Sequence, residues 1–233
     1  MTHSNATAQG TNAVQTARKP RAILFDLDGT LLDTAADLHV ALNQVLRSHQ
    51  RPLVALDDAR PIASHGSYGL LQLGFGDAFN DSNRLQLREA FLAEYAKDPY
   101  SRTQYFDGIK TLLEQLSAND IAYGIVTNKP TQFTQALLPH FPLLAACQSV
   151  VCGDTLSVAK PNPEPVLHGA AQLGVEPHEC WYVGDAERDI QAGRAAGMFT
   201  VLAKYGYISA ADTPHLWQAD ATVEHPLELP KLW

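Results

Sequence analysis

The chain has 233 residues, enough at about 150 per domain for one large domain or one domain carrying an insertion. Hydrophobic residues make up 45% and charged residues 18%, a globular balance that excludes disorder over most of the length. A net charge of −8 argues against a general nucleic-acid binder, and no apolar run approaches the ~20 residues of a bilayer span.

Residues 1–18 are rich in Thr, Ala, Asn, Gln and Ser and lack the apolar stretch of a secretory signal. Residues 1–20 are therefore expected to form a disordered N-terminal extension. From Arg21 the pattern changes. Ala22-Ile23-Leu24-Phe25 is a short apolar run ended by Asp26-Leu27-Asp28-Gly29, as expected of a strand buried on both faces. Next comes a stretch without strand character, residues 34–104. It opens with Leu38, Ala41, Leu42, Val45 and Leu46 at helical spacing and closes with Leu85, Leu87, Phe91, Leu92 and Tyr95. About a hundred residues thus separate Asp28 from Thr127, where a strand–helix–strand unit needs roughly 30. The surplus reads as an inserted helical cap.

Beyond residue 105 strands and helices alternate. Leu112, Leu113 and Leu116 form one helical face with Asp107 as N-cap; Phe133, Leu137 and Leu138 form another after Pro130; Val166, Leu167 and Ala170 form a third. Apolar runs at 121–126, 149–152, 180–183 and 200–203, with a weaker one at 221–223, supply the strands. The expected fold is α/β: a doubly wound, Rossmann-like parallel sheet from residues 21–33 and 105–233, with the α-helical cap inserted at 34–104. Cys147, Cys152 and Cys180 are too few and too irregular for a disulfide framework or a zinc site. These features predict a cytoplasmic monomer or homodimer with no membrane or nucleic-acid partner.

Four polar clusters follow apolar strand candidates: Asp26-Leu27-Asp28-Gly29-Thr30, Thr127-Asn128-Lys129-Pro130, Lys160-Pro161, and Gly184-Asp185 followed by Asp189. In a doubly wound sheet ligands bind outside the carboxyl ends of strands, so these clusters would converge on one crevice. Asp-Gly is a common turn signal. Yet four specified residues at average usage arise by chance in such a chain with a probability of only about 0.3%. Asp26 and Asp28, two apart on an extended segment, can face one side, where one carboxylate attacks and the other moves a proton.

On these motifs the sequence resembles the haloacid dehalogenase superfamily, specifically its phosphatases with a helical cap between the first two core motifs. The resemblance implies that Asp26 is a nucleophile forming an aspartyl-phosphate and that Asp28 protonates the leaving oxygen and then activates water. It implies that Thr127 and Asn128 bind the phosphoryl group, that Lys160 neutralises charge, and that Mg2+ is the cofactor. The metal would be held by Asp26, Asp28 through its carbonyl, Asp185 and, directly or through water, Asp189. Elementary chemistry agrees: a carboxylate attacking a phosphoryl anion meets like-charge repulsion that a hard divalent cation and an ammonium group relieve.

Within the superfamily the sequence resembles phosphoglycolate phosphatases and phosphatases of N-acetylmuramic acid 6-phosphate. The shared stretches are Val126-Thr127-Asn128-Lys129-Pro130, Gly184-Asp185 to Asp189-Ile190, and the tail motifs Tyr205-Gly206-Tyr207-Ile208 and His225-Pro226-Leu227-Glu228-Leu229. The expected partner is a small phosphorylated metabolite. Ser64-His65-Gly66-Ser67 in the cap is the expected substrate-facing loop, set against an ordinary helix-connecting turn; Arg102 near the return is a second candidate for an anionic group, set against solvated surface. A sugar-phosphate mutase of the same superfamily and a phosphoacceptor receiver module stay open as alternatives. A dehalogenase is opposed by Asp28, and a dinucleotide-binding protein by the lack of Gly-x-Gly-x-x-Gly after the first strand.

Overall fold

Strand β1 (Ala22–Phe25) has no exposed side chain. Successive residues of a strand point to opposite faces, so its unbroken apolar run requires helices on both sides. Ile23 and Phe25 join Leu112, Leu113, Leu116, Ile125 and Val183 in one core layer. Ala22 and Leu24 join Val126, Val166, Ala170, Tyr182 and Ala192 in the other. The computed structural model describes residues 17–233; the polar tract at 1–16 lies outside the described residues.

After β1 come β2 (Leu32–Asp33), α1 (Ala35–Ser48), α2 (Leu56–Ala59), a 3-10 segment (Arg60–His65), α3 (Gly66–Phe75) and α4 (Arg84–Tyr95). Then follow β3 (Gln104–Tyr105), α5 (Ile109–Ala118), β4 (Ala122–Val126), α6 (Thr131–Leu137), α7 (Pro142–Ala145) and β5 (Val150–Val151). The last third holds α8 (Glu164–Gln172), β6 (Cys180–Gly184), α9 (Glu187–Ala195), β7 (Phe199–Ala203) and β8 (Ala221–Val223). Six strands form one parallel sheet in the order β5-β4-β1-β6-β7-β8. The order reverses beside β1, which puts a crevice at its carboxyl end. No helix among the described residues is long and apolar enough to cross a membrane.

Helices α1 to α4 build a separate apolar core. Leu38, Leu42, Val45 and Leu46 of α1 meet Leu70, Leu71, Phe75, Leu87, Phe91 and Tyr95, and Phe133 and Tyr207 reach in from the sheet domain. The lid is joined to the sheet domain through β2 and β3, which pair antiparallel with Leu32 opposite Tyr105 and Asp33 opposite Gln104. The sequence pattern does not anticipate this ribbon, because two residues per strand carry no periodicity. Asp33 accepts from Arg60 Nη1 at 2.6 Å and from the Tyr207 hydroxyl at 2.7 Å. Asp37, whose side chain has no exposed surface, accepts from the Arg102 amide at 3.0 Å and from Thr103 Oγ1 at 2.8 Å.

Three expectations need correction. Residues 17–20 belong to the fold rather than to an extension: the Ala17 amide donates to the Leu232 carbonyl at 2.8 Å and Pro20 is buried. A main-chain bond and a buried ring supply what side-chain composition there lacks. Gly108, not Asp107, is the N-cap of α5; it sits at φ 82°, and a Cβ would lie 2.5 Å from His225 Cε1, so the turn requires glycine. Arg102 faces Asp37 and Asp98 at 3.4 and 3.5 Å and is part of the hinge rather than a substrate contact.

Asp37→Ala leaves the Arg102 amide and Thr103 hydroxyl without their shared acceptor and is expected to cost about 2–4 kcal/mol. Urea unfolding checks this; a loss within experimental error of zero contradicts the hinge clamp.

Candidate active site

Phe25 lies opposite Ile125 on one side and Val183 on the other, so Asp26, Thr127 and Asp185 emerge at the ends of three adjacent strands. The Asp26 amide still donates to Val183 O (2.9 Å) and the Thr127 amide to Val151 O (2.8 Å), which fixes both residues as extensions of the ladder. Lys160 arrives from the loop before α8. Its Nζ donates to Val126 O and the Tyr182 hydroxyl, both at 2.8 Å, and stands 3.0 Å from Asp26 Oδ1 and 2.7 Å from Asp189 Oδ1. Asn128 brackets the Lys160 backbone: its Nδ2 donates to Lys160 O (2.9 Å) and its Oδ1 accepts from Lys160 N (3.0 Å).

The carboxylates differ in environment. Burial pushes the Asp26 carboxyl up, but Lys160, Arg188 and the Leu27 amide outweigh it and hold the group below the ordinary carboxylate range. Asp26 is thus an anion although only 2% exposed. Asp185 is pushed up to about 7 by burial, then by the charges of Asp26 and Asp189, against a hydrogen bond from Ser64. Burial likewise raises Asp189, with Lys160 opposing. Asp185 accepts from Thr30 Oγ1 (3.0 Å), the Tyr207 amide (3.0 Å) and Ser64 Oγ (2.5 Å), the last a residue of the lid. Gly29 makes room for it: at φ 84°, a Cβ there would lie 2.2 Å from Asp185 Oδ2.

Asp26, Asp185 and Asp189 each offer a carboxylate oxygen within 4.8 Å of the other two. Three hard oxygen donors, all buried, form a set that could hold a cation. Asp189 Oδ2 is committed to the Ala186 amide at 3.0 Å, capping α9, while Oδ1 touches Lys160 without an aligned hydrogen bond. That oxygen has coordinating capacity left. Asp28 stands apart from the cluster: its side chain accepts from Thr34 Oγ1 (2.6 Å) and Lys129 Nζ (3.0 Å).

A cavity of about 320 Å³ joins these residues to the lid. Asp26, Asp28, Thr127, Asn128 and Lys129 line it from the strand ends, and Ser64, His65, Gly66 and Ser67 from the lid. Thr127 Oγ1 accepts from the Lys129 amide at 3.2 Å, leaving its hydrogen for another acceptor. The side chain of Asn128 pairs with the Lys160 backbone through both its nitrogen and its oxygen, so it positions that lysine from the cavity wall. The motif pattern gave no role to Lys129, Arg188 or Tyr182. Lys129 lies inside a quoted motif, yet only the fold shows it buried between Asp28 and the Tyr95 ring, 4.7 Å from the centroid, with burial lowering its pKa and Asp28 more than reversing that. Arg188 Nη2 is 3.7 Å from Asp26 Oδ2.

A buried anionic carboxylate with two cations behind it, at the switch point of a doubly wound sheet and under an inserted lid, defines an enzyme of the capped α/β hydrolase class. A family model described as haloacid dehalogenase-like hydrolase matches residues 23–203. The chain is 43% identical over 216 residues to a phosphoglycolate phosphatase of Xanthomonas campestris pv. campestris, covering 93% of this chain and 96% of that one. It is 37% identical over 210 residues to an N-acetylmuramic acid 6-phosphate phosphatase of Pseudomonas aeruginosa, covering 90% and 92%. A solved haloacid dehalogenase-like family hydrolase of Streptococcus pneumoniae shares the fold with a TM-score of 0.76 at 23% identity, over 90% of this chain and 96% of that one. The chain belongs to the haloacid dehalogenase-like hydrolases.

The raised Asp185 carboxyl has a consequence for stability. It favours the fold below its ordinary value of 3.8, and that contribution is lost as pH climbs to about 7. Without metal, Asp185→Asn is therefore expected to stabilise the protein at pH 8 by on the order of 1–3 kcal/mol, with the gain shrinking toward pH 5. Melting curves in chelator at both pH values check this; an equal difference at both contradicts the charge assignment.

Proposed function

We propose that this hydrolase of phosphoric monoesters works through a covalent aspartyl-phosphate on Asp26 and takes a small phosphorylated metabolite as substrate. The observation that carries the reading is the state of Asp26: a buried carboxylate kept ionised by Lys160 and Arg188 and facing a ligand-sized cavity. Asp26 Oδ attacks phosphorus, a new O–P bond forms, and the ester O–P bond breaks. Asp28 gives its proton to the departing alkoxide, then takes one from the water that attacks the acyl-phosphate, which returns Asp26 as a carboxylate and frees inorganic phosphate.

Thr127 Oγ1 donates to a transferring phosphoryl oxygen, and Lys160, fixed by Val126 O, Tyr182 and Asn128, balances charge as the phosphoryl group approaches. Lys129 holds Asp28 in place from the far side. Mg2+ is the cofactor proposed for the Asp26, Asp185 and Asp189 cluster, where it would offset the repulsion between an anionic nucleophile and an anionic ester. Ser64 ties the lid to Asp185, so closure and the acidic cluster are coupled, and a closed lid keeps bulk water from the attack step. The named relatives make 2-phosphoglycolate and N-acetylmuramic acid 6-phosphate the substrates of choice for this chain.

Asp26→Asn is expected to lower kcat by on the order of 10³-fold or more with an unchanged melting curve. Steady-state kinetics check it, and residual turnover above about one per cent contradicts Asp26 as nucleophile. Chelation is expected to remove activity and Mg2+ to restore it; full activity in chelator refutes the metal assignment.

A further inference from the structure

We propose that Arg88, on α4 of the lid, receives a carboxylate carried by the substrate at the end remote from its phosphate. The proposal rests on the phosphomonoesterase reading and extends it to substrate class. Arg88 lines the same cavity as Asp26, Asp28 and Thr127. The cavity has three cationic side chains, and two of them face acids: Lys129 is 3.0 Å from Asp28 and Arg188 is 3.7 Å from Asp26. Arg88 has no carboxylate within 4.0 Å among the described residues. Its Nε is buried and has no hydrogen-bond partner among them, and its guanidinium lies over the Tyr68 ring, 5.5 Å from the centroid.

Arg88 is half-buried. It stands one turn before Phe91 and Leu92 and two before Tyr95, all of which line the cavity with it. A cation in an apolar wall with a buried, unmatched N–H is a group waiting for an acceptor. The planar guanidinium fork fits a carboxylate through two parallel hydrogen bonds, and the Tyr68 face holds that plane in orientation. The phosphate has its own place, because phosphorus must reach Asp26 at the strand ends, where Lys160 and Arg188 already stand. Arg88 comes from the lid and would meet the opposite end of the molecule. The names of the two kinds of relative agree: phosphoglycolate and N-acetylmuramic acid 6-phosphate both denote phosphate esters of carboxylic acids.

The test uses the full chain with Mg2+ and two substrate pairs, in each of which only one member carries a carboxylate. These are 2-phosphoglycolate against ethyl phosphate, and N-acetylmuramic acid 6-phosphate against N-acetylglucosamine 6-phosphate. Wild-type enzyme is expected to prefer the acid in at least one pair. The ratio of kcat/KM for that acid over its counterpart is expected to fall about 10–100-fold in R88M and by an intermediate factor in R88K, which keeps the charge but not the fork. R88K carries the test if R88M melts at a lower temperature. A ratio within threefold of wild type in both variants, or no preference for either acid in wild type, overturns the proposal. Failure of the phosphomonoesterase reading itself looks different: wild-type enzyme would hydrolyse none of the four esters.

Discussion

One ammonium group shared among buried carboxylates is the constraint around which this site is built. Lys160 Nζ stands against Asp26 and Asp189 at once and donates to Val126 O and the Tyr182 hydroxyl. Removing such a cation from water is tolerable only with charge and hydrogen bonds on every side. With Arg188 added, the cations still fall one short of the acids Asp26, Asp185 and Asp189. Asp185, pushed up to about 7 by burial and by the charges of Asp26 and Asp189, is the member that feels this shortfall. A divalent cation held by these three carboxylates would make up the shortfall and leave an excess positive charge, which suits the arrival of a phosphoryl dianion.

The sheet makes this crowding possible. Neighbouring parallel strands end within one residue of each other, so three residues distant in sequence share one edge with no loop needed to bring them together. The lid is a body with its own apolar core, into which Phe133 and Tyr207 of the sheet domain reach, and Asp33, Asp37 and Tyr207 add hydrogen bonds at its root. Ser64 extends from that body to Asp185. Lid position and the charge state of the acidic cluster therefore act on one carboxylate, which gives a physical route from closure to chemistry.

Much of this was legible in the residues. The run Ala22–Phe25 followed by Asp26 and Asp28 marks a doubly buried strand with two acids at its end, and the long interval to Thr127 marks an insertion. What escaped depends on contacts between elements. The β2–β3 ribbon has two residues per strand and no period to detect. Asp107 has the chemistry of a cap, yet Gly108 takes the position because the turn there adopts a left-handed φ of 82° that glycine reaches freely. Asn128 reads as a phosphate ligand, and only the fold adds that its side-chain amide braces the Lys160 backbone. Lys129 and Arg88 are ordinary charged residues in sequence; only their packing against Tyr95 and Tyr68 at the cavity sets them apart.

The central claim is that the ester phosphorus is transferred to a side-chain oxygen of residue 26. Rapid acid quench of enzyme mixed with substrate, followed by mass spectrometry of the proteolytic peptides, measures this directly. Phosphate is expected on the peptide that contains Asp26, appearing within the first turnover and vanishing as substrate is exhausted. Phosphate on a different residue, or none at any quench time while inorganic phosphate accumulates, contradicts the account.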